Sequence, residues 1–302
     1  MGKFKAWLSA ARLRTLPLSI SGILVGTALA SSEGFENKQI FLLTILTTIT
    51  FQVTSNFAND YGDGVKGTDA DDRVGPQRAL QSGALDKGEL LAGIIISAAL
   101  SFCLTVLLVY TAFGIENLRH IILYMVLGIL SIWAALKYTM GSSPYGYQGL
   151  GDVFVFIFFG ILAVLGTKFL YTKTIDFLDI LPAMTIGLLS TGVLNLNNLR
   201  DVVSDQNHGK NTVVVKMGFE KGKKYHYALL ITAFLCWLFG VFFSKYGWEA
   251  WISLLFFTPV LLHLLKVVRT KVPASLDPEL KKLALSTFAV ALSFYLAINY
   301  FL

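Results

Sequence analysis

Along this chain apolar residues do not alternate with polar ones; they run on. Stretches with little or no charge occupy positions 15–32, 39–59, 90–115, 121–136, 153–167, 180–199, 225–244, 250–265 and 283–302. A helix needs about 20 mostly apolar residues to cross a bilayer, with a range of roughly 17–25. The pattern therefore predicts about nine spans. Barrel strands would alternate over about ten residues, so continuous hydrophobicity selects helices. The predicted fold class is all-α: a polytopic transmembrane helix bundle forming a single domain over 1–302.

Composition agrees with that reading. The chain is 55% hydrophobic and only 15% charged, against about a quarter charged in soluble domains. Its mean hydropathy is +0.64. Lys and Arg bias fixes an orientation: with the N-terminus cytoplasmic, 20 of the 25 basic residues fall in cytoplasmic segments. The net charge of +6 is thus mainly a topology signal, and no basic domain large enough for nucleic acid is present. Cys103 and Cys236 fall inside predicted spans and read as small buried hydrophobes. The N-terminal stretch imitates a secretory signal, with Ala28-Leu29-Ala30 before serine. Its apolar run is long enough to span, and an uncleaved first helix is expected.

Chemistry gathers where two spans end. The second ends in NFANDYGDGVKG, with Asn56, Asn59, Asp60 and Asp63. The sixth ends in NLNNLRDVVSDQNHGKNT, with Asn195, Asn197, Asn198, Asp201 and Asp205. Each is the second helix of a group of four, giving a pseudo-repeat of spans 1–4 and 5–8 plus a ninth. Residues four apart on a helix share a face, which pairs Asn56 with Asp60, Asn197 with Asp201, and Asp201 with Asp205. Grouped carboxylates repel unless something positive sits between them. Oxygen ligands without histidine suit Mg2+, which binds substrate phosphates as its remaining partners, and not zinc. Lys66, Arg73 and Arg78 trail the first cluster, and Arg200 and Lys210 lie in the second. Such forks and point charges are what a diphosphate needs beyond its metal. Asp and Asn are also ordinary helix caps, so one cluster alone would read as solvated loop; two at corresponding positions point to a site. A third segment, KYTMGSSPYGYQGLGDVF, brings Lys137, Tyr138, Tyr145, Tyr147 and Asp152 to the same side. By itself it reads as an aromatic anchor. The four histidines are scattered and indicate little.

With these residues in view, the chain resembles the UbiA superfamily of membrane prenyltransferases, and most its 1,4-dihydroxy-2-naphthoate polyprenyltransferase branch of menaquinone synthesis. ARLRTLPLSISGILVGTALA is similar to the first helix of that family, NFANDYGDGVKGTDADDRVGPQRALQSG to its first aspartate motif, SPYGYQGLGDVFVFIFFG to its middle loop, and LNNLRDVVSDQNHGKNTVVVKMG to its second aspartate motif. The resemblance implies a cytoplasm-side cavity open to the bilayer of a bacterial inner membrane. It implies Asn56, Asp60 and Asp63 facing Asp201 and Asp205 across Mg2+ and a polyprenyl diphosphate. Arg73, Arg78, Lys137, Lys210 and Arg12 become candidates for phosphate oxygens, and Asn59, Asn197 and Asn198 for other substrate contacts. Tyr138 and Tyr145 could face the allylic cation or the aromatic acid acceptor. One departure stands out: the superfamily often places a third acidic residue where this chain has Gly67, and Asp69 or Asp72 could replace it. Related acceptors (4-hydroxybenzoate, homogentisate, a tetrapyrrole) and a membrane transporter are the rival readings. A transporter would place polar groups near the midplane on broken helices.

Overall fold

The computed structural model describes residues 2–67, 77–244 and 246–300. Among them, nine helices are long and apolar enough to cross a membrane: Lys3–Ser31, Lys38–Lys66, Lys87–Phe113, Leu118–Lys137, Gly151–Thr172, Phe177–Arg200, Phe219–Phe243, Trp248–Arg269 and Pro273–Tyr300. They match the predicted spans one for one, and no described residue is in a strand. The differences lie at the ends. The first span begins at Lys3 and breaks at Arg12, a non-glycine residue with φ 48°. The second continues to Lys66, so the first aspartate motif is itself helical.

Local chemistry explains several boundaries. Asn37 starts the second span by accepting from the Gln39 and Ile40 N–H groups at 2.9 and 3.1 Å. Asp86 and Glu89 form a reciprocal capping box at the third. Gly67 ends the second span with φ 73°. A left-handed helix cap of this kind strongly favours glycine. The position where a third acid was sought is therefore a turn that closes the helix.

The bundle has a packed half and a hollow half. Spans six to nine share one apolar core with the inner face of the first and part of the fifth, centred on Val25, Leu29, Ile186, Leu189, Trp237 and Phe294. Close approach is needed within it: a Cβ on Gly160 of the fifth span would lie 2.5 Å from the Gly187 Cα of the sixth. Buried polar groups also tie this half. His226 and His263 meet at 3.0 Å between Nε2 atoms, and His263 Nδ1 lies 2.8 Å from Glu279, which accepts from Lys282 at 2.6 Å. Spans seven, eight and nine are thereby linked by a network that the scattered histidines did not announce.

Spans one to five instead enclose a cavity of about 340 Å³. Its lining extends along the second span from Thr44 to Asn59, about 22 Å at 1.5 Å per residue. An 11-residue π-helical stretch, Phe156–Gly166, forms the fifth-span wall with Phe158, Phe159 and Leu162. Small apolar clusters pack beside it toward each end. Ala10, Phe57, Ala79, Leu85 and Leu90 pack at the aspartate end, and Ala30, Ile40, Leu108, Phe113 and Leu170 at the other. Cys236 is buried as expected, but Cys103 is not: it sits on the outward face of the third span. Hydrophobic pattern alone does not distinguish a lipid-facing from a core-facing residue on a helix apolar all round.

At the end opposite the aspartate motifs, three carboxylates converge. Oxygens of Glu33, Asp176 and Asp179 all lie within 4.8 Å of one another. That space is already filled. The fully buried Lys168 ammonium reaches Asp179 at 2.5 Å and Asp176 at 3.1 Å, and also pairs with Glu33. The cluster is an ion-pair clamp joining the loops after the first and fifth spans, not an open cation site. Removing one partner of a buried pair leaves uncompensated charge and costs roughly 3–5 kcal/mol. Two of the acids here are solvent-exposed, which lowers the figure. Lys168→Met should therefore destabilise the bundle by about 3 kcal/mol, read as a lower unfolding midpoint in detergent. An unchanged midpoint would refute the clamp.

Candidate active site

The first aspartate motif lies on the last two turns of the second span, buried under two loops. Asp60 is 1% exposed and Asp63 3%, and an ionised carboxylate so deep needs partners. The chain supplies them by folding back: the Ala79 N–H donates to Asp60 at 3.3 Å, and Arg78 reaches Asp63 at 3.5 Å. The field of Arg12, at the break in the first span, also acts on Asp60. The second motif straddles a helix end. Asp201 terminates the sixth span, and a short helix, Val202–Asn207, carries Asp205. The Asp205 N–H bonds the Asp201 carbonyl at 2.8 Å, so the four-residue spacing survives the break. Arg200 forks onto Asp201 at 2.7 and 2.5 Å, and Lys210 lies 3.6 Å from Asp205.

Tyr147 brings the two motifs together. Its hydroxyl donates to Asp63 at 2.8 Å, while its backbone carbonyl accepts from Asn211 in the second motif's loop at 3.0 Å. Its ring stands 4.5 Å from the Lys66 ammonium and 5.6 Å from that of Lys210. The loop bearing it is pinned to the second span by Thr139, whose hydroxyl donates to the Ala58 carbonyl at 3.0 Å. Electrostatics follow the same proximity. Burial pushes the Asp205 carboxyl up to about 6; Lys210 opposes this, and the charges of Asp201 and Asp63 add to it. Asp63 belongs to the other motif, so the two clusters share one field. The Tyr138 phenol is likewise raised, first by burial, then by Asp63, Asp152 and Asp205, with Arg12 opposing.

The other sequence candidates separate into groups. Asn59, Tyr138 and Tyr145 line the cavity, with Tyr145 stacked on Phe154 at 3.9 Å between centroids. Asn56 also lines it, but its amide braces the chain. It donates to the Ala11 carbonyl at 2.9 Å and to Thr15 at 3.2 Å, and accepts from Gln52 at 3.1 Å. Asn197 accepts from Arg200 at 3.0 Å, and Asn198 is buried. Lys137 is exposed, with its ammonium 3.2 Å from where a Gly141 side chain would begin; among the described residues no hydrogen bond or ion pair joins it to an aspartate. Arg73, Asp69 and Asp72 lie outside the described residues. Tyr147 was visible in the sequence but carried no signal beyond its place in a tyrosine-rich loop.

The donor set fits a hard cation. Asp60 Oδ1, Asp205 Oδ2 and Asn59 Oδ1 are buried oxygens without a hydrogen-bond partner. Buried oxygens are ordinarily satisfied, and magnesium takes carboxylate and carbonyl oxygens.

A polytopic helical bundle with an apolar cavity beside two aspartate clusters defines an integral membrane protein. The chain belongs to the UbiA prenyltransferase family, whose model matches residues 19–297. It is 42% identical to the 1,4-dihydroxy-2-naphthoate octaprenyltransferase of Haemophilus influenzae, covering 98% of this chain and 96% of that protein. With the Escherichia coli protein of the same name, identity is 40% over 99% and 96%. Among solved structures, it matches a UbiA homolog from Aeropyrum pernix K1 with TM-score 0.68 at 17% identity, covering 91% of this chain and 97% of that one. A homolog from Archaeoglobus fulgidus, bound to DMAPP and Mg2+, matches with TM-score 0.65 at 14% identity, covering 98% and 99%. These two likenesses speak to the fold.

The raised Asp205 carboxyl fixes a pH dependence. Below about pH 6 it is protonated, and a divalent cation must displace that proton. Mn2+ affinity, measured by titration from pH 5 to 8, should be level above pH 6 and fall up to about tenfold per unit below it. Asp205→Asn should flatten the limb near pH 6; an unchanged limb would assign the titration elsewhere.

Proposed function

We propose that this protein transfers a polyprenyl group from polyprenyl diphosphate to 1,4-dihydroxy-2-naphthoate, releasing diphosphate and CO2 and giving demethylmenaquinol. The observation that carries the reading is the meeting of two aspartate motifs through Tyr147, next to an apolar cavity. The full-length relatives carrying that naphthoate name support the acceptor. The site lies on the cytoplasmic face of a bacterial inner membrane, the orientation that the basic residues favour. The two motifs act as corresponding parts of a pseudo-repeat.

Asp60, Asp63, Asp201 and Asp205, with Asn59 and Asn56 at the cavity edge, would hold magnesium, which when bound would supply positive charge to offset that growing on the departing diphosphate. The chain's own cations do the rest. Arg78 and Lys210 are paired with aspartates in the structure described, and the charge of Arg12 acts on Asp60. These three bases, joined by Arg73 and Lys137, bind the phosphate oxygens of the substrate; fixed donors aimed at developing charge lower the barrier. The allylic C–O bond breaks with its electron pair leaving on diphosphate. The electron-rich ring then attacks the allylic carbon at its own carboxylate-bearing carbon. The ring–carboxylate bond breaks, its pair returns to the ring, and CO2 departs. Tyr138, Tyr145 and Phe154 line the wall that shields the cation from water, and aromatic faces stabilise positive charge. A cavity of about 340 Å³ is at the small end for ligand pockets; a long polyprenyl tail extends beyond it into lipid.

Purified protein in lipid, given a labelled prenyl diphosphate and a panel of aromatic acids, tests this. 1,4-Dihydroxy-2-naphthoate should be prenylated with one CO2 released per transfer, and 4-hydroxybenzoate and homogentisate at least about tenfold more slowly. Asp60→Asn and Asp201→Asn should each lower the rate at least about 100-fold, a loss of roughly 2.7 kcal/mol of transition-state stabilisation, in protein that still inserts and folds. Substrate uptake by vesicles with no chemical product would instead indicate a transporter.

A further inference from the structure

Arg200 is the only described cation bonded at once to the second aspartate motif and to the ninth span. Its side chain is 5% exposed, and its nitrogens are committed. Nε and Nη2 donate to the two oxygens of Asp201 at 2.7 and 2.5 Å, Nη2 also to Asn197 at 3.0 Å, and Nη1 to Asp277 at 2.7 Å. Asp277 is 46% exposed at the start of the α-helix Asp277–Tyr300. Charge alone makes this arrangement consequential. Arg200 forked onto Asp201 alone would cancel that carboxylate. Sharing the guanidinium with Asp277 leaves the three groups with one net negative charge, available to attract a cation. The planar fork meets both oxygens of Asp201 and, from a separate nitrogen, Asp277; a lysine ammonium is a point charge and does not reproduce that bidentate geometry.

We propose that Asp277 is a positioning residue for the metal-holding site, acting through Arg200 to keep Asp201 oriented and incompletely neutralised. The inference rests on the reading of Asp201 as a metal-holding carboxylate. It assigns a role to a half-exposed acid outside both aspartate motifs.

The test is direct Mn2+ binding to the purified full-length protein in lipid nanodiscs, followed by electron paramagnetic resonance, with thermal unfolding measured in parallel. Asp277→Asn removes one negative charge and should weaken Mn2+ binding about three- to tenfold, the scale expected of a unit charge near a divalent ion in a partly solvated site. The magnesium concentration for half-maximal prenyl transfer should rise by a similar factor. Asp277→Glu should restore binding to within about twofold of the unsubstituted protein. On an Arg200→Lys background, Asp277→Asn should add little, because the connecting fork is gone; coupled sites are non-additive. Equal Mn2+ affinity in the unsubstituted and Asp277→Asn proteins would overturn the proposal. So would a lower unfolding midpoint with unchanged affinity, or full additivity with Arg200→Lys. Failure of the unsubstituted protein to bind Mn2+ would sink the metal reading itself, a separate outcome.

Discussion

Four carboxylates buried within one field of each other cannot all stay ionised without positive charge close by, and the aspartate end of this protein is organised around that constraint. Arg78 in the loop after the second span, Arg200 closing the sixth and Lys210 in the loop beyond each pair with one of them, and the charge of Arg12, at the break of the first span, acts on Asp60. Local structures that look unrelated follow from it. The chain turns at Gly67 and returns so that residues 78 and 79 reach the aspartates. The loop after the fourth span docks through Thr139 and sends Tyr147 across the gap.

The constraint also accounts for how the bundle divides its interior. Spans six to nine are packed throughout and give the second motif a rigid base. Spans one to five leave a cavity whose lining reaches Asn56 and Asn59, beside the first aspartate motif; on the proposed reading an apolar ligand lies against its wall with the charged end toward the acids. Asn56 joins these functions. By holding Ala11 and Thr15, it fixes the break that presents Arg12, and through Gln52 it extends the polar edge of the cavity. A glutamine-to-asparagine ladder with both partners satisfied is rigid as well as polar.

Much of this was legible in the sequence, because membrane spans are written as unbroken apolar runs and the two Asn/Asp clusters stand out against them. The nine spans and both Asn/Asp clusters were readable on those grounds, whereas Tyr138 and Tyr145, which line the cavity, came forward only through the family resemblance. What was hidden involves pairing across distant chain. Arg200 looked like a base for a ligand, yet it is bonded to its neighbour Asp201 and to Asp277, 77 positions away. Tyr147 looked like one more interfacial aromatic. His226, His263 and Glu279 looked unrelated, since helical spacing shows what shares a face within a span and nothing about which span lies opposite. Cys103 was misplaced for the same reason.

The two ends of the bundle show why a count of acids does not identify a metal site. At the end opposite the motifs, three carboxylates lie closer together than a search for ligands would require, but they share a single ammonium carried by Lys168. That lysine is fully buried within the fifth span, and its withdrawal would strand its own charge in the bundle. At the aspartate end, Arg12, Arg78 and Lys210 are borne on a helix break and on loops, and can exchange a carboxylate for a phosphate oxygen without leaving an interface. On the proposed reading, exchangeable neutralisation, together with buried oxygens on Asp60 and Asp205 that no donor satisfies, separates a site for a metal and a diphosphate from a clamp. Arg200 is the instructive exception among the four. It is bonded to Asp277 as well as to both oxygens of Asp201, so on the same reading it stays in place and keeps one carboxylate of the second motif in fixed geometry.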